Sequence, residues 1–187
     1  QNGDHLLFFT DKGQVYKSRA SEFDDTKASV LGDYLPAKLE FDENESVVDT
    51  VVLREYAGYM LFFFENGKVA KVGMNAYETK TRRKKLLAAY SDKSPLVAAY
   101  WILEDQEFML TATGGRVLLF HTGAILPKAT RDTQGVAVMS LKKNALLDKV
   151  QPYADGMIGN PHRFRAKSLP AAGMLPRDED LGEQLMI

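Results

Sequence analysis

The sequence predicts an all-β protein, built as a propeller-like array of about three four-stranded units. Three similar segments surround Gly13, Gly67 and Gly115, which are 54 and 48 residues apart. A valine stands two residues after each glycine, and another apolar run follows each segment, at 47–52, 96–103 and 146–150. Units of roughly 40–50 residues with about four strands are typical of propeller blades, which bury their faces against neighbouring blades.

Each repeated segment is predicted to form a β-hairpin. Two short runs rich in β-branched and aromatic residues flank a Lys-Gly, Asn-Gly or Gly-Gly pair, which is typical of hairpins with a primed turn. The glycine supplies the positive φ that such a turn requires. One unit is therefore a hairpin, a polar loop and a further strand, and the array occupies residues 1–153, with units at about 1–54, 55–103 and 104–153.

Residues 154–187 do not continue the repeat. They are rich in glycine and proline and end in an acidic stretch at 178–183. We expect an irregular, loosely packed C-terminal arm that ends in a short helix at 179–186. Since only three units are visible, the predicted array is partial or open.

Composition narrows the possible classes of protein. The chain is 45% hydrophobic and 26% charged, as in ordinary globular proteins, and it has no cysteine for disulfides or thiolate chemistry. That suits a reducing cytoplasm. The longest apolar runs are far shorter than the roughly 20 residues of a membrane span. The chain starts without Met and without a signal pattern, so we expect a piece of a longer protein.

Motifs for catalysis are missing from the sequence. The three histidines, His5, His121 and His162, lack metal-ligand spacing, and no nucleophile elbow, phosphate loop or dinucleotide fingerprint occurs. The acidic string at 42–45 lacks the glycine and the distant glutamate of a calcium loop, so it is interpreted as a solvated turn. We expect no catalytic site, no metal and no cofactor.

Basic residues give the stronger functional signal. The run at 80–85 has five positive charges in six residues, directly after the second hairpin. Corresponding loops of successive units should project from one rim of the array. The basic residues of these three loops are Arg19 and Lys27 in unit 1, Lys80, Arg82, Arg83, Lys84 and Lys85 in unit 2, and Lys128 and Arg131 in unit 3.

A stripe of this kind is suited to a phosphate backbone, since each neutralised phosphate releases counterions. The arginines can also place two hydrogen bonds on one phosphate. The net charge is only −1, so any binding must use a local patch, and the basic run could equally be an ordinary soluble loop. Unit 1 has 6 basic and 11 acidic residues, which places the expected contacts mainly on units 2 and 3.

Three segments resemble a known family. The sequence ATRDTQGV at 129–136, and the hairpins TDKGQVYK at 10–17 and ENGKVAK at 65–71, resemble the C-terminal domain of the A subunits of bacterial DNA gyrase and topoisomerase IV. The resemblance covers about residues 5–153. It implies a β-pinwheel, whose blades exchange strands and whose basic rim bends duplex DNA for strand passage elsewhere on the enzyme.

The resemblance also implies a non-catalytic chain in a larger machine. The family's catalytic tyrosine and ATPase lie outside this domain. The expected partners are therefore duplex DNA, the other domains of the same polypeptide and the B subunit with its ATPase, in the cytoplasm at the nucleoid and away from any membrane. The gyrase box QRRGGxG is absent from the three comparable loops, which favours a topoisomerase IV type.

Two further hypotheses remain open at the level of sequence. A propeller-like protein-interaction module could use the acidic loop at 42–45 with Tyr56 and Tyr59 as exposed aromatic contacts. The acidic stretch at 178–183 could compete with DNA for the rim as an internal polyanion. An enzyme with a site at the centre of the array lacks any residue constellation.

Overall fold

The computed structural model describes residues 4–23, 35–80 and 83–181. In this part of the chain the regular elements are strands, apart from short 3-10 turns and one α-helical turn at 35–38, so the all-β prediction is confirmed. The strands are β1 (His5–Thr10), β2 (Val15–Arg19), β3 (Val47–Leu53), β4 (Tyr59–Phe64), β5 (Lys68–Gly73), β6 (Lys85–Leu86), β7 (Leu96–Ile102), β8 (Glu107–Ala112), β9 (Val117–His121), β10 (Val136–Ala137) and β11 (Leu147–Pro152).

The strands form three antiparallel sheets, called blades 1, 2 and 3. Their strand orders are β3-β1-β2-β6, β10-β5-β4-β7 and β11-β8-β9. A hairpin occupies the middle of blades 1 and 2 and one edge of the three-stranded blade 3. In each blade the later strand of the same unit pairs with the first hairpin strand. This is the predicted order of hairpin, loop and strand.

The hairpin turns differ in type from the prediction. Gly13, Gly67 and Gly115 have φ of 69°, 81° and 90°, as expected. A primed turn of type I′ needs positive φ at two central residues, yet among these turn residues only the glycines have it. The amide of each glycine donates to the carbonyl three residues earlier, as Gly13 does to Thr10 at 3.2 Å. The turns are therefore type I turns closed by a glycine bulge, since the loop has three residues.

Blades 1 and 2 each borrow their fourth strand from the next unit. β6, which belongs to unit 2, pairs with β2, and β10, which belongs to unit 3, pairs with β5. Gly135, just before β10, has φ of +76°, and a Cβ there would lie 2.1 Å from the Val69 carbonyl oxygen. Only glycine allows the borrowed strand to approach so closely. Strand exchange is the property that the resemblance implied.

The C-terminal arm takes the place of a borrowed strand on blade 3. Met174 and Val117 exchange backbone hydrogen bonds of 2.9 and 2.8 Å. The Leu119 amide donates to the Phe164 carbonyl, and the Leu119 carbonyl accepts from the Ala166 amide. Gly173 precedes this pair as Gly135 precedes β10, with φ of +72°. The arm is irregular, as expected. The expectation of loose packing is wrong around Ile158 and Phe164, because both side chains are buried against the outer face of blade 3.

Two apolar cores join the blades, and we call these junctions seam 1–2 and seam 2–3. In seam 1–2 the Phe9 ring packs edge-on against Phe62 and Tyr77, at centroid distances of 5.8 and 5.3 Å. In seam 2–3 Phe63 packs against Phe108 at 5.2 Å. Burying such aromatic faces is the main source of stability in stacked sheets.

The position of β3, β7 and β11 defines the centre and rim of the array. These strands contact one another from blade to blade, so they form the hub. The borrowed strands lie at the opposite edge of each sheet and form the rim. The outer face of blade 1 is covered by the 35–41 segment, with Leu39 buried, and that of blade 3 by the arm.

Candidate nucleic-acid interface

The rim has two sides, which are distinguished by the two ends of the hairpins. The turn side holds the glycine turns. The loop side holds the 3-10 turns that follow the hairpins, at Ala20–Glu22, Met74–Tyr77 and Thr122–Ala124. Each basic loop singled out from the sequence leaves its hairpin on the loop side, because the 3-10 turn starts seven residues after the hairpin glycine in every unit.

The basic run of unit 2 lies along the outer edge of blade 1, next to β2. The Lys17 amide donates to the Lys84 carbonyl at 2.6 Å, and β6 begins at Lys85. Lys80, Arg83 and Lys84 line this edge, the last with 74% of its side chain accessible. Strand exchange thus places the positive charge of unit 2 on blade 1.

Two lysines of this run contact acidic residues of unit 1. Lys85 Nζ lies 3.1 and 3.2 Å from the two Asp42 carboxylate oxygens and 5.6 Å from the Tyr16 ring centroid. Lys84 Nζ lies 3.8 Å from Glu22 in a setting open to solvent. Lys85 therefore anchors the borrowed strand, whereas Lys84 forms a weak surface pair that an external anion can replace.

The basic residues of unit 3 lie beside this run. Arg131 extends back to unit 2, where its two terminal nitrogens donate to the carbonyls of Ala76 and Leu87 at 3.1 and 3.3 Å. Lys128 is exposed on the edge of β5, its amide bonded to the Lys71 carbonyl at 2.8 Å. The guanidinium of Arg131 thus ties the two loops together, and its charge contributes to the same surface.

Two of the nine cations singled out from the sequence, Lys27 and Arg82, lie outside the described residues. Arg19 is exposed at the end of β2. Within the part of the chain that the structure describes, the rim cations with no carboxylate at ion-pair distance and no carbonyl link are Arg19, Lys80, Arg83 and Lys128.

A cleft of about 800 Å³ opens beside the basic run in seam 1–2, and the sequence prediction missed its central residue, Lys17. Lys17 Nζ donates to Thr79 Oγ1 at 2.8 Å and lies 5.4 Å from the Tyr56 ring centroid. Burial lowers the pKa of Lys17, Glu78 raises it, and Arg131 lowers it further. The signal was available, since Lys17 has the same strand parity as the core residue Val15 and must face the next blade.

The rim of blade 3 is more neutral, because two of its arginines, Arg163 and Arg165, are bound to carboxylates. Arg165 makes a two-pronged pair with Glu107 at 2.9 and 3.0 Å. Arg163 pairs with Asp180, whose side chain is completely buried. The candidate interface therefore spans the rim of blades 1 and 2.

The residues of the protein-interaction alternative are largely engaged within the chain. Glu45 is buried and accepts hydrogen bonds from Thr10, Tyr16 and the Asp42 amide, so the interpretation of 42–45 as a solvated turn is wrong for this residue. The physical reason is that this turn fastens the 35–41 cover onto blade 1. Tyr56 and Tyr59 are half-buried, each near a lysine ammonium.

The acidic end of the arm is not a mobile polyanion where the structure describes it. Asp180 accepts from Asn160 Nδ2 at 3.0 Å, from the Arg177 amide at 2.8 Å and from Arg163. The Arg177 amide and the other donors lower the pKa of Asp180 to about 2. The polyanion hypothesis is wrong for this residue. A 3-10 turn spans Asp178–Asp180, and most of the predicted helix, at 182–186, lies outside the described residues.

Metal sites and membrane spans are absent from residues 4–23, 35–80 and 83–181. No three His, Asp or Glu side chains come together there in a way that could hold a metal ion. No helix in those ranges has the length and hydrophobicity to cross a membrane.

Solved structures share this architecture. The C-terminal domain of a DNA topoisomerase IV superposes with a TM-score of 0.77 at 21% identity, covering 93% of this chain and 58% of that one. The C-terminal domain of E. coli ParC superposes with a TM-score of 0.68 at 12% identity, covering 96% and 79%. Both similarities establish the fold, which is the β-pinwheel.

Curated relatives and a family model agree with the structural match. A probable chloroplast and mitochondrial DNA gyrase A protein of Oryza sativa is 27% identical over 177 residues, and the DNA gyrase A protein of Mycoplasma genitalium is 25% identical over 154 residues. These alignments cover 91% and 82% of this chain but only 18% of each relative. The family model of the DNA gyrase C-terminal domain, a β-propeller, matches residues 4–54 and 106–152, so the chain belongs to the DNA gyrase A C-terminal domain family.

Proposed function

We propose that this chain is a non-catalytic domain that binds and bends duplex DNA for a type II topoisomerase. The observation that carries the proposal is the joining of two basic loops on one side of the rim. Strand exchange puts Lys80 and Arg83 on the edge of blade 1, and Arg131 links that loop to the loop of Lys128 on blade 2. The track is completed by Arg19, Lys84 and, from the sequence, Lys27, Arg82 and Lys85.

Physical chemistry supports a backbone-binding role. Four cations of this track have no carboxylate partner among the described residues, so phosphates need not displace one. Each neutralised phosphate releases condensed counterions, and this gain does not depend on base sequence. Bending duplex DNA over a short arc costs on the order of several kcal/mol, which a row of such contacts can offset.

The family membership supports a finer proposal about the parent enzyme. The domain would present DNA to a strand-passage site elsewhere in the same polypeptide, powered at the nucleoid by the ATPase of a B subunit. We propose a topoisomerase IV type, because the QRRGGxG box is missing from all three comparable loops.

The test is duplex binding as a function of salt, measured by fluorescence anisotropy. We expect weak sequence preference and a steep loss of affinity with added salt. Substituting Lys80→Gln, Arg83→Gln and Lys128→Gln together should make the slope of log K against log salt shallower by about 2 to 3, since each lost phosphate contact contributes about 0.9.

A matched control removes the same charge elsewhere. The substitutions Lys142→Gln, Lys143→Gln and Lys149→Gln affect exposed lysines before and within β11, away from the loop side of the rim. They should leave the slope nearly unchanged. Equal effects of the two triple variants would refute a localised track, and no binding by the natural chain at low salt would favour the protein-interaction module.

A further inference from the structure

The two seams hold a lysine at the same position of the repeat. Lys17 and Lys71 each stand four residues after a hairpin glycine, on the second hairpin strand, and each faces the next blade. Lys17 therefore enters seam 1–2 as Lys71 enters seam 2–3. A difference between their surroundings reveals what each seam is built to hold.

Seam 2–3 supplies its own anion. Lys71 is only 4% exposed, and its Nζ lies 2.7 Å from an Asp105 carboxylate oxygen. The Thr122 and Ile125 carbonyls accept from the same ammonium at 3.1 and 3.5 Å, and the Tyr59 ring centroid lies 4.6 Å away. This ammonium is enclosed and neutralised within the chain.

Seam 1–2 has no such carboxylate against its lysine. The hydrogen-bond acceptor at Lys17 is the neutral Thr79 hydroxyl, 2.8 Å away, and no carboxylate of the described residues is within ion-pair distance. The cleft of about 800 Å³ lies directly beside it. Its cations are Lys17, Arg19, Lys80, Arg83 and Lys84, against Glu22 and Glu78, and His5 also lines it.

We propose that this cleft binds a phosphate group beside Lys17, in the position that the Asp105 carboxylate takes beside Lys71. The cations outnumber the carboxylates by three, and Lys17 is half-buried, so the cleft attracts an anion more strongly than fully exposed charges would. Lys17 and Arg83 provide the donors for phosphate oxygens. If the proposed function holds, the group is a phosphodiester of the bent duplex, and otherwise it is a free phosphate.

The histidine in the cleft provides a direct readout. Burial, followed by the charges of Arg19 and Lys17, lowers the pKa of His5. A bound phosphate offsets those positive charges, so it should raise the His5 pKa. The imidazole signals of the 187-residue chain would be followed by NMR against pH, with inorganic phosphate or with sodium chloride of equal ionic strength.

Two variants disrupt the proposed phosphate-binding position in different ways. Lys17→Gln removes the central ammonium, and Thr79→Asp places a carboxylate where the threonine hydroxyl accepts from Lys17, as Asp105 does for Lys71. Each should weaken the phosphate-dependent change at least tenfold in apparent affinity. Lys149→Gln is the control for charge, because Lys149 is exposed on β11 and does not line the cleft.

The outcomes separate the two sources of phosphate. If both inorganic phosphate and a short duplex raise the His5 pKa, the cleft binds a phosphate of DNA. If only inorganic phosphate raises it, the cleft binds a free phosphate, whether or not the chain binds DNA elsewhere. No response specific to phosphate, or the same response in Lys17→Gln, would overturn the proposal. If Thr79→Asp does not fold, Lys17→Gln still decides the result.

Discussion

Seam 1–2 and seam 2–3 are built from the same repeat, yet they use their lysine differently. Lys71 is enclosed with Asp105 and contributes to holding blades 2 and 3 together. Lys17 lies at the edge of an open cleft, with a threonine as its acceptor. The comparison shows that the same repeat position can hold a lysine neutralised within the chain in one seam and a lysine beside an open cleft in the other.

The largest expected effect is the removal of the internal anion from seam 2–3. Asp105→Ala leaves the Lys71 ammonium buried with two carbonyls as its hydrogen-bond acceptors, and it removes the acceptor of Thr122 Oγ1. Breaking a fully buried pair costs about 3–5 kcal/mol. Since the Asp105 side chain is 38% exposed, we expect a smaller loss of about 2 kcal/mol in the free energy of unfolding, measured by urea titration.

Two companion variants test whether that loss belongs to the seam. Lys71→Met should cost less than Asp105→Ala, because the carboxylate left behind is partly solvated and the methionine fills the space. Thr79→Ala in seam 1–2 should cost less than about 1 kcal/mol, since Lys17 reaches water through the cleft. A loss in Thr79→Ala as large as that in Asp105→Ala would break the contrast between the seams.

A second, smaller effect concerns the arginine behind seam 1–2. In Arg131 the bonds to the Ala76 and Leu87 carbonyls come from two separate terminal nitrogens of a planar fork. The single ammonium of Arg131→Lys should match this arrangement poorly. We expect a loss of about 1 kcal/mol in stability by urea titration.

Arg116 provides the matched control for that substitution. It is half-buried and makes one comparable bond, to the Gly173 carbonyl at 3.0 Å. Arg116→Lys should therefore lose less than Arg131→Lys. The reverse order would mean that the two-carbonyl link does not hold the basic loops together.

Much of the fold could be predicted because the repeat is local. A glycine, the valine two residues on and the later apolar run each report on neighbouring residues, so the three hairpins and β3, β7 and β11 followed from spacing alone. The identity of the borrowed strands could not be predicted in this way. β6 and β10 have only two residues each, and their partners are set by the packing of a different unit.

Strand exchange also limits what the sequence could say of the candidate site. The acidic character of unit 1 argued against contacts there, yet the basic run of unit 2 lies on the rim of blade 1. Lys85 and Arg131 were singled out for charge alone, whereas their neighbours in space give them structural bonds. Such pairings join residues about 43 to 55 positions apart, beyond any local pattern.

The hub strands of the two seams also differ, by an aspartate in β3 where β7 has an alanine. We expect this difference to have the smallest effect on stability. Asp49 in β3 is paired with Phe9 and faces seam 1–2, whereas the matching residue of β7, Ala98, is paired with Phe63 and faces seam 2–3. Burial raises the pKa of Asp49 from 3.8 to about 6. An acid whose pKa is higher in the folded state destabilises that state once it must ionise.

The sign of the pH dependence follows from that shift. Below about pH 3 the Asp49 carboxyl is protonated in both states, so Asp49→Asn should leave stability unchanged there. Between about pH 4 and pH 6 the natural chain should lose stability relative to the variant, and above pH 6 the difference should level off. Because the side chain is only partly buried, we expect a plateau of no more than about 1 kcal/mol in thermal or urea unfolding. If Asp49→Asn is less stable than the natural chain at pH 7, the ionised Asp49 carboxylate stabilises the fold. That result would contradict an unfavourable buried charge at this position of the hub.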